Sequence, residues 1–488
     1  MRALLISTYE LGRQPFGLAS PAAWLRREGW AVECVDAAKD RLEEGSLASA
    51  DLIGVHLPMH TATRLAGPVI QKARRLNPPA RICAYGLYAP LNGTWLRSLG
   101  VDDVLGGEFE GELAEIARGM VGPTTSAAGP KDPPYIPTTR PNVSPVSRPG
   151  PFGPGDRVGR GNRIPRLQFL VPDRSGLPPL SRYATLHMPD GTRRVVGSTE
   201  ASRGCKHLCR HCPVVPVYQG QFRVVQPEIV LADIAAQVAA GAGHITFGDP
   251  DFFNGPTHAM HIVDAMHAAH PRVSFDVTIK VEHLLQHSDL LPRLAASGCA
   301  FVTSAVESLD DRVLAFLDKG HTRADFLKSV DLCRAARLTL VPTFVAFHPW
   351  LTLEDYCDLL ETIAGLDLAD HIAPIQLAIR LLVPDGSRLL DLPDFRTHLG
   401  AFDPATLSYP WVHADPRVDA LHRGVTALVG TRLTADRRTV FDEIRALACA
   451  RAGLEPPVGV AKGSSTVPYL NEPWYCCAEP NADDVRLI

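Results

Sequence analysis

Gly204-Cys205-Lys206-His207-Leu208-Cys209-Arg210-His211-Cys212-Pro213 places three cysteines in the spacing C-x3-C-x2-C, on what reads as a loop. Three thiolates this close together suit three irons of a cubane [4Fe–4S] cluster, leaving the fourth iron without a protein ligand and open to another molecule. For a chain with 11 cysteines in 488 residues, chance yields this spacing only about 0.006 times. Zinc is the competing reading, because thiolates also suit Zn2+ and His207 or His211 could complete a site. A structural zinc takes four ligands, usually from two paired knuckles, and no second C-x2-C pair occurs.

Outward from this loop, the chain alternates strand and helix. Strands are predicted at 195–199, 244–247, 274–278, 301–304, 339–344 and 375–381, with helices at 227–240, 258–270, 287–297, 310–317, 324–336 and 353–364. Six such units predict a partial parallel barrel, (β/α)6, whose functional groups gather at the carboxyl ends of its strands. Unusual polar residues fall there: Gly248 and Asp249 after the second strand, Lys280 and Glu282 after the third, Ser304 and Glu307 on the fourth, His348 after the fifth and Arg380 on the sixth. Glycine lets a backbone approach a ligand closely, and carboxylates hold ammonium or hydroxyl groups. A carboxylate buried at a strand end marks either a ligand or a salt bridge, here Lys280–Glu282 or Lys280–Glu307. The bland readings are a turn with an Asp-Pro helix start at 249–250 and a packed His348.

Residues 1–119 show strands at 4–8, 31–35, 52–55, 81–85 and 103–105, with helices at 20–27, 61–76 and 108–118. That pattern predicts an α/β domain with a doubly wound parallel sheet. Residues 120–180 are rich in Pro and Gly and read as a linker or an extended wrap over a neighbouring surface. A hairpin around Asp190-Gly191 leads into the barrel domain, 181–395. Residues 396–465 form a helical accessory region read as a cap, with clear helices at 417–426 and 434–450, and 466–488 form a tail carrying Cys476-Cys477. Adjacent thiols chelate one soft centre, close a vicinal disulfide, or simply anchor the tail. Cys34, Cys83, Cys299, Cys333, Cys357 and Cys449 read as small core residues.

A net charge of −4 and a pI near 6.5 give no basic surface from which to argue nucleic acid or an anionic membrane, so a small-molecule partner is expected. The apolar start at 3–6 is too short for a signal peptide and no run reaches membrane-span length. The expected location is the cytoplasm, where thiols stay reduced.

With Ser202-Arg203-Gly204 ahead of it, the cysteine loop resembles the signature of the radical S-adenosylmethionine (radical SAM) superfamily. The resemblance implies that Cys205, Cys209 and Cys212 ligate the cluster and that its open iron chelates the amino and carboxylate groups of SAM. His211 departs from the aromatic residue often found there. Phe247–Asn254 resembles the SAM-amino segment in its Asp-x-x-Phe variant, implying SAM contacts at Gly248 and Asp249. Val306-Glu307-Ser308 with Lys319-Gly320-His321-Thr322 resembles a subgroup that pairs this domain with a cobalamin-binding-type one, implying that Ser304 and Glu307 face SAM. Lys280, Glu282 and Arg380 join them as cofactor-binding candidates. The N-terminal domain is similar to such cobalamin-type domains, but the cobalt-ligating Asp-x-His-x-x-Gly motif is absent and bound cobalamin is not favoured.

Cys476-Cys477-Ala478-Glu479-Pro480 resembles the tail of the CUAEP/CCAEP-tail radical SAM proteins. That resemblance implies the radical step of arsinothricin biosynthesis: transfer of the 3-amino-3-carboxypropyl group of SAM to arsenite, with Cys476 and Cys477 presenting As(III). A reductant such as flavodoxin or ferredoxin is then the expected partner. The alternatives are a cobalamin-dependent radical SAM methyltransferase, another 5'-deoxyadenosyl-radical enzyme, and a non-enzymatic iron–sulfur or metalloid sensor.

Overall fold

Short aliphatic runs, each closed by glycine, proline or a polar turn, form the strands of two sheets in a computed structural model that describes residues 1–121, 167–432, 435–455, 459 and 467–471. The first sheet comprises β1 (Arg2–Ser7), β2 (Ala31–Asp36), β3 (Leu52–His56), β4 (Arg81–Tyr85) and β5 (Asp103–Leu105), all parallel, in the order β2-β1-β3-β4-β5. Helices cover both faces, including Phe16–Arg27, His60–Leu76 and Phe109–Val121. This is the predicted doubly wound sheet, whose carboxyl edge is where such folds bind ligands.

The second sheet starts with the predicted hairpin, β6 (Thr185–His187) and β7 (Arg193–Thr199). A two-stranded ribbon, β8 (Ser202–Gly204) and β9 (Phe222–Val224), then carries the cysteine loop between its strands. Four more strands follow, β10 (His244–Phe247), β11 (Ser274–Thr278), β12 (Cys299–Glu307) and β13 (Leu340–Phe344), each parallel to its neighbour and joined to β7 in a curled half-barrel. The chain returns to this sheet at β14 (Tyr469–Leu470), antiparallel to β6.

The expected sixth barrel strand does not form. Pro374 opens a 3-10 turn, Pro374–Ala378, and only a single parallel bridge, Phe347 to Arg380, remains of the pairing. Proline fixes φ and offers no N–H to a ladder, and the Tyr356 hydroxyl holds the turn by donating to the Leu377 carbonyl at 2.8 Å. The expected helix at 287–297 is a 3-10 turn, Ser288–Leu290, followed by a short helix, Leu291–Ala296, with Pro292 in its first turn; a separate helix, Val281–Gln286, precedes them.

In the region expected to be helical, 396–465, residues 397–415 run in turns and isolated bridges before two helices begin. Helices Pro416–Gly430 and Arg437–Ala452 place Val418, Leu421, Val425, Phe441 and Ile444 in the same apolar core as the barrel. Arg445 fixes the second of them through Glu361 at 2.7 Å. Residues 167–180 contact both domains: Arg174 pairs with Asp233 at 2.8 Å and donates to Gln14 of the N-terminal domain at 2.9 Å. Among the described residues, no helix is long and apolar enough to cross a membrane.

Candidate iron–sulfur and cofactor site

The cysteine loop leaves β8 at Gly204, where φ is +75° and an added Cβ would lie 2.4 Å from the Gln221 carbonyl oxygen. Both the backbone angle and the contact require glycine. Gly204→Ala is therefore expected to lower the iron bound per chain severalfold, measured on protein reconstituted in parallel with wild type. Asn254 holds the next residues, accepting from Lys206 N–H at 3.2 Å and donating to the Gly204 carbonyl at 3.4 Å. Further along, Arg210 donates to the carbonyls of Ala315 and Phe316 at the end of helix Asp311–Leu317, at 3.0 and 2.9 Å.

Cys205, Cys209 and Cys212 are free thiols. Cys205 and Cys212 pack with Leu87, Val214, Val217 and Tyr218 in one apolar patch. Burial pushes the Cys205 thiol up to about 11 and that of Cys212 higher still. Metal coordination offsets this by replacing the proton outright, so the donor set fits an iron cluster. Lys319, also buried, has Cys209 and Cys212 among the groups whose fields act on it.

Glu307 lies at a bulge in β12 with φ +71°, an uncommon backbone state for a residue with a side chain. Its Oε1 is 3.1 Å from His211 Nε2 and 3.4 Å from Lys319 Nζ. Burial alone would raise its pKa, but Lys319 and His211 overcome that and hold it at about 2. The carboxylate is thus kept ionised beside the cluster loop. Here the imidazole at His211 has a polar partner in place of the packing role of an aromatic ring. Glu307 pairs with Lys319 and not, as one reading had it, with Lys280.

Lys280 reaches Glu282 at 3.5 Å, and Glu282 also meets His207 at 3.5 Å. His207 Nε2 is 3.6 Å from Asp251, which His283 approaches at 2.7 Å. Cys205, His207 and Asp251 fall within 4.8 Å of one another, so the loop's first cysteine borders a polar cluster. Gly248 lines the half-barrel cavity. Asp249 also borders it but is committed to the turn before β8, accepting from Ala201 N–H at 2.9 Å and the Ser202 hydroxyl at 2.5 Å. Burial raises its pKa to about 7 against the Ser202 bond.

Two expected cofactor contacts are placed elsewhere. Ser304 shares the face of Val302 and Val306, which pack into the core beneath the helices, while Thr303 lines the cavity. Side chains alternate along a strand, so a one-residue difference in register turns the hydroxyl away. Arg380 donates to Asp419 and to the Trp411 carbonyl, both at 2.7 Å, with its guanidinium over the Trp411 ring. Its donors tie residues 411–419 to the barrel. His348 is buried against Trp350, and burial pulls its pKa down to about 4. Cys476 and Cys477 lie outside the described residues.

The N-terminal domain meets the cluster loop directly, a contact no local pattern announced. Arg203, 6% exposed, forms a fork with Glu110, fully buried, at 2.6 and 2.8 Å and also donates to Glu200 at 2.6 Å. Glu108 lies beside it, with Tyr218 donating to one oxygen at 3.4 Å and no hydrogen-bond partner for the other among the described residues. Burial raises the Glu108 pKa to about 7, opposed by Arg203. An acid raised on folding keeps its proton while the unfolded chain ionises, so Glu108 makes stability fall as pH rises from about 4.5 to 7. Glu108→Gln removes that slope. Its melting temperature is expected to match wild type near pH 4.5 and to exceed it at pH 8, by up to about 3 kcal/mol of stability.

At the carboxyl edge of the first sheet the buried histidines turn to protein partners: His56 Nδ1 is 3.3 Å from Glu10, and His60 Nε2 is 2.7 Å from the Thr406 carbonyl.

Residues 199–363 match the family model for the radical SAM superfamily. A tRNA-2-methylthio-N(6)-dimethylallyladenosine synthase from Desulfosudis oleivorans is 27% identical over 215 residues, 41% of this chain and 44% of that protein. One from Alkalilimnicola ehrlichii is 26% identical over 179 residues, 33% of this chain and 39% of that protein. The chain spans less than half the length of these relatives. Among solved structures, the cobalamin-dependent SAM radical enzyme OxsB, with aqua-cobalamin and SAM bound, superposes with a TM-score of 0.64 at 13% identity over 92% of this chain and 71% of its own. The radical SAM methyltransferase TsrM from Kitasatospora setae, with tryptophan and a SAM analogue bound, gives 0.62 at 16% identity over 87% and 88%. These likenesses establish a shared fold. A radical SAM domain implies a [4Fe–4S] cluster and SAM, and Cys205, Cys209 and Cys212 are the residues that would hold the cluster. Behind an N-terminal doubly wound sheet, this chain carries a radical SAM domain.

Proposed function

We propose that the chain cleaves SAM reductively and transfers its 3-amino-3-carboxypropyl group to arsenite held by Cys476 and Cys477. The observation supporting this most directly is the course of the chain just ahead of those cysteines. Tyr469 and Leu470 line the half-barrel cavity, and Asn471 is pinned to Thr185, accepting from its N–H at 2.8 Å. Cys476 follows five residues later (476 − 471), a tether no longer than about 18 Å. Trivalent arsenic is soft and takes thiolate ligands, which gives the adjacent pair a chemical task.

When bound, the cluster supplies one electron to the sulfonium of SAM, drawn from a donor such as flavodoxin or ferredoxin. The chain's own residues set the geometry. Asp249 fixes the turn into β8, Arg203 anchors that strand to the N-terminal domain, and Lys319 with His211 keeps Glu307 charged. Which C–S bond breaks follows from which carbon lies nearest the open iron. The test is the nucleoside released by reduced, anaerobically reconstituted protein given SAM and arsenite, identified by mass spectrometry. The expected product is 5'-methylthioadenosine, lost in Cys476→Ser and Cys477→Ser; 5'-deoxyadenosine in its place would refute aminocarboxypropyl transfer.

A second reading, cobalamin-dependent radical SAM chemistry such as methyl transfer, draws support from the fold shared with OxsB over 92% of the chain. A corrinoid absorbance band that copurifies with the protein would promote it over the first.

A further inference from the structure

Arg13 belongs to the N-terminal domain, in the loop between β1 and helix Phe16–Arg27, yet it lines the half-barrel cavity. Its neighbours explain how. Leu11 and Gly12 both have positive φ, of +54° and +68°, which turns the chain sharply. The Gly12 carbonyl accepts from Ala184 N–H at 2.8 Å, the Gln14 carbonyl accepts from the Ser198 hydroxyl at 3.3 Å, and the Gln14 side chain donates to the Pro178 carbonyl at 2.8 Å. Arg13 is held between two residues fastened to the barrel edge.

Its guanidinium makes no hydrogen bond and no ion pair within 4.0 Å among the described residues. The opposite charge facing it is Asp276, on β11. Asp276 Oδ1 is occupied by His244 Nε2 at 2.8 Å and the Thr246 hydroxyl at 2.6 Å, while Oδ2 has no partner among the described residues. Withdrawal from water lowers the Arg13 pKa, opposed first by the field of Asp276 and then by that of Glu10. A cation and a carboxylate thus face one cavity without closing on each other. Thr278, Thr303 and Thr343 bring hydroxyl-bearing side chains to the same wall. The cavity, about 90 Å³, has room for a small polar headgroup.

We infer that this cavity binds the carboxylate–ammonium head of an α-amino acid, with Arg13 taking the carboxylate and Asp276 the ammonium. A guanidinium fork matches a carboxylate in plane and charge, and the free Asp276 oxygen accepts from an ammonium. The amino and carboxylate groups of SAM are those the open iron would take, and none of Cys205, Cys209 and Cys212 lines this cavity, so the head is that of a separate amino acid, and the site stands whether or not arsenite is the acceptor.

The test uses full-length protein with its cluster reconstituted, as wild type, Arg13→Gln and Arg13→Lys, compared first for iron content and melting temperature. Each is titrated anaerobically with SAM and with decarboxylated SAM, and crystals of each are soaked in glycine. Arg13→Gln that weakens SAM about tenfold or more, with decarboxylated SAM binding all three alike, would place the SAM carboxylate on Arg13 and overturn the inference. The expected result is unchanged SAM binding, with glycine seated with its carboxylate on Arg13 in wild type but not in Arg13→Gln. Unchanged SAM affinity together with only water in the glycine-soaked wild-type cavity overturns the inference, leaving Arg13 as a water-separated counter-ion of Asp276. Wild type that binds no SAM at all would count against the proposed reaction, while the glycine soak would still decide this site.

Discussion

Cys209→Ala is expected to strip the protein of its cluster, taking bound iron from about four per chain to near zero and SAM cleavage to background. Cys209 is buried, and its carbonyl accepts from Cys212 N–H at 3.2 Å, so the loss acts on the ligand set with little change to the loop backbone. Two thiolates and the surrounding apolar patch cannot replace a third sulfur. Cys299→Ala is the control: that thiol donates to the Phe301 carbonyl at 3.3 Å, burial raises its pKa far above the usual range, and its loss should leave iron content and turnover unchanged. The checks are iron and sulfide analysis with the broad visible charge-transfer band. Full iron retention in Cys209→Ala would remove this loop as the cluster site.

Glu110→Gln should produce the largest loss of stability. Glu110 accepts both arms of Arg203 and the Ser20 hydroxyl, at 2.6 to 2.8 Å, and is fully buried. Breaking a buried pair leaves an uncompensated charge, at a cost of about 3–5 kcal/mol; Glu200, still bonded to Arg203, places the expectation near the lower figure. Burial opposes ionisation of Glu110, but Arg203 holds its pKa below the usual value. Stability from a depressed carboxylate is present above the unfolded pKa and lost as pH falls through the folded one. The deficit of the variant should therefore be full at pH 7 and shrink in acid. Thermal melts across pH 3–8 would show it, and iron incorporation should fall as well, because Arg203 immediately precedes Gly204-Cys205.

Much of this architecture is legible along the chain. The runs 81–85, 103–105, 244–247 and 274–278 were expected as strands at the bounds where they occur, because apolar or alternating residues there end at clear turn signals. The run 375–381 carried the same apolar signal, but Pro374 and the bond from Tyr356 to Leu377 override it, and tertiary hydrogen bonds leave no local trace. Ser304 illustrates a finer limit: whether it or Thr303 faces inward depends on pairing register with β11 and β13, which composition does not encode. The cysteine loop announces its chemistry by spacing alone. The groups that position it do not, since Glu110 and Arg203 are 93 residues apart. Arg13 sits in a loop with no motif and gains meaning only when the two domains close on it.

Electron paramagnetic resonance of the reduced, reconstituted full chain, recorded with and without SAM, tests most directly whether three thiols hold a cluster with an open iron. The account predicts a signal typical of a reduced [4Fe–4S] cluster whose shape changes when SAM is added. A protein that carries zinc, or a cluster signal indifferent to SAM, would contradict it.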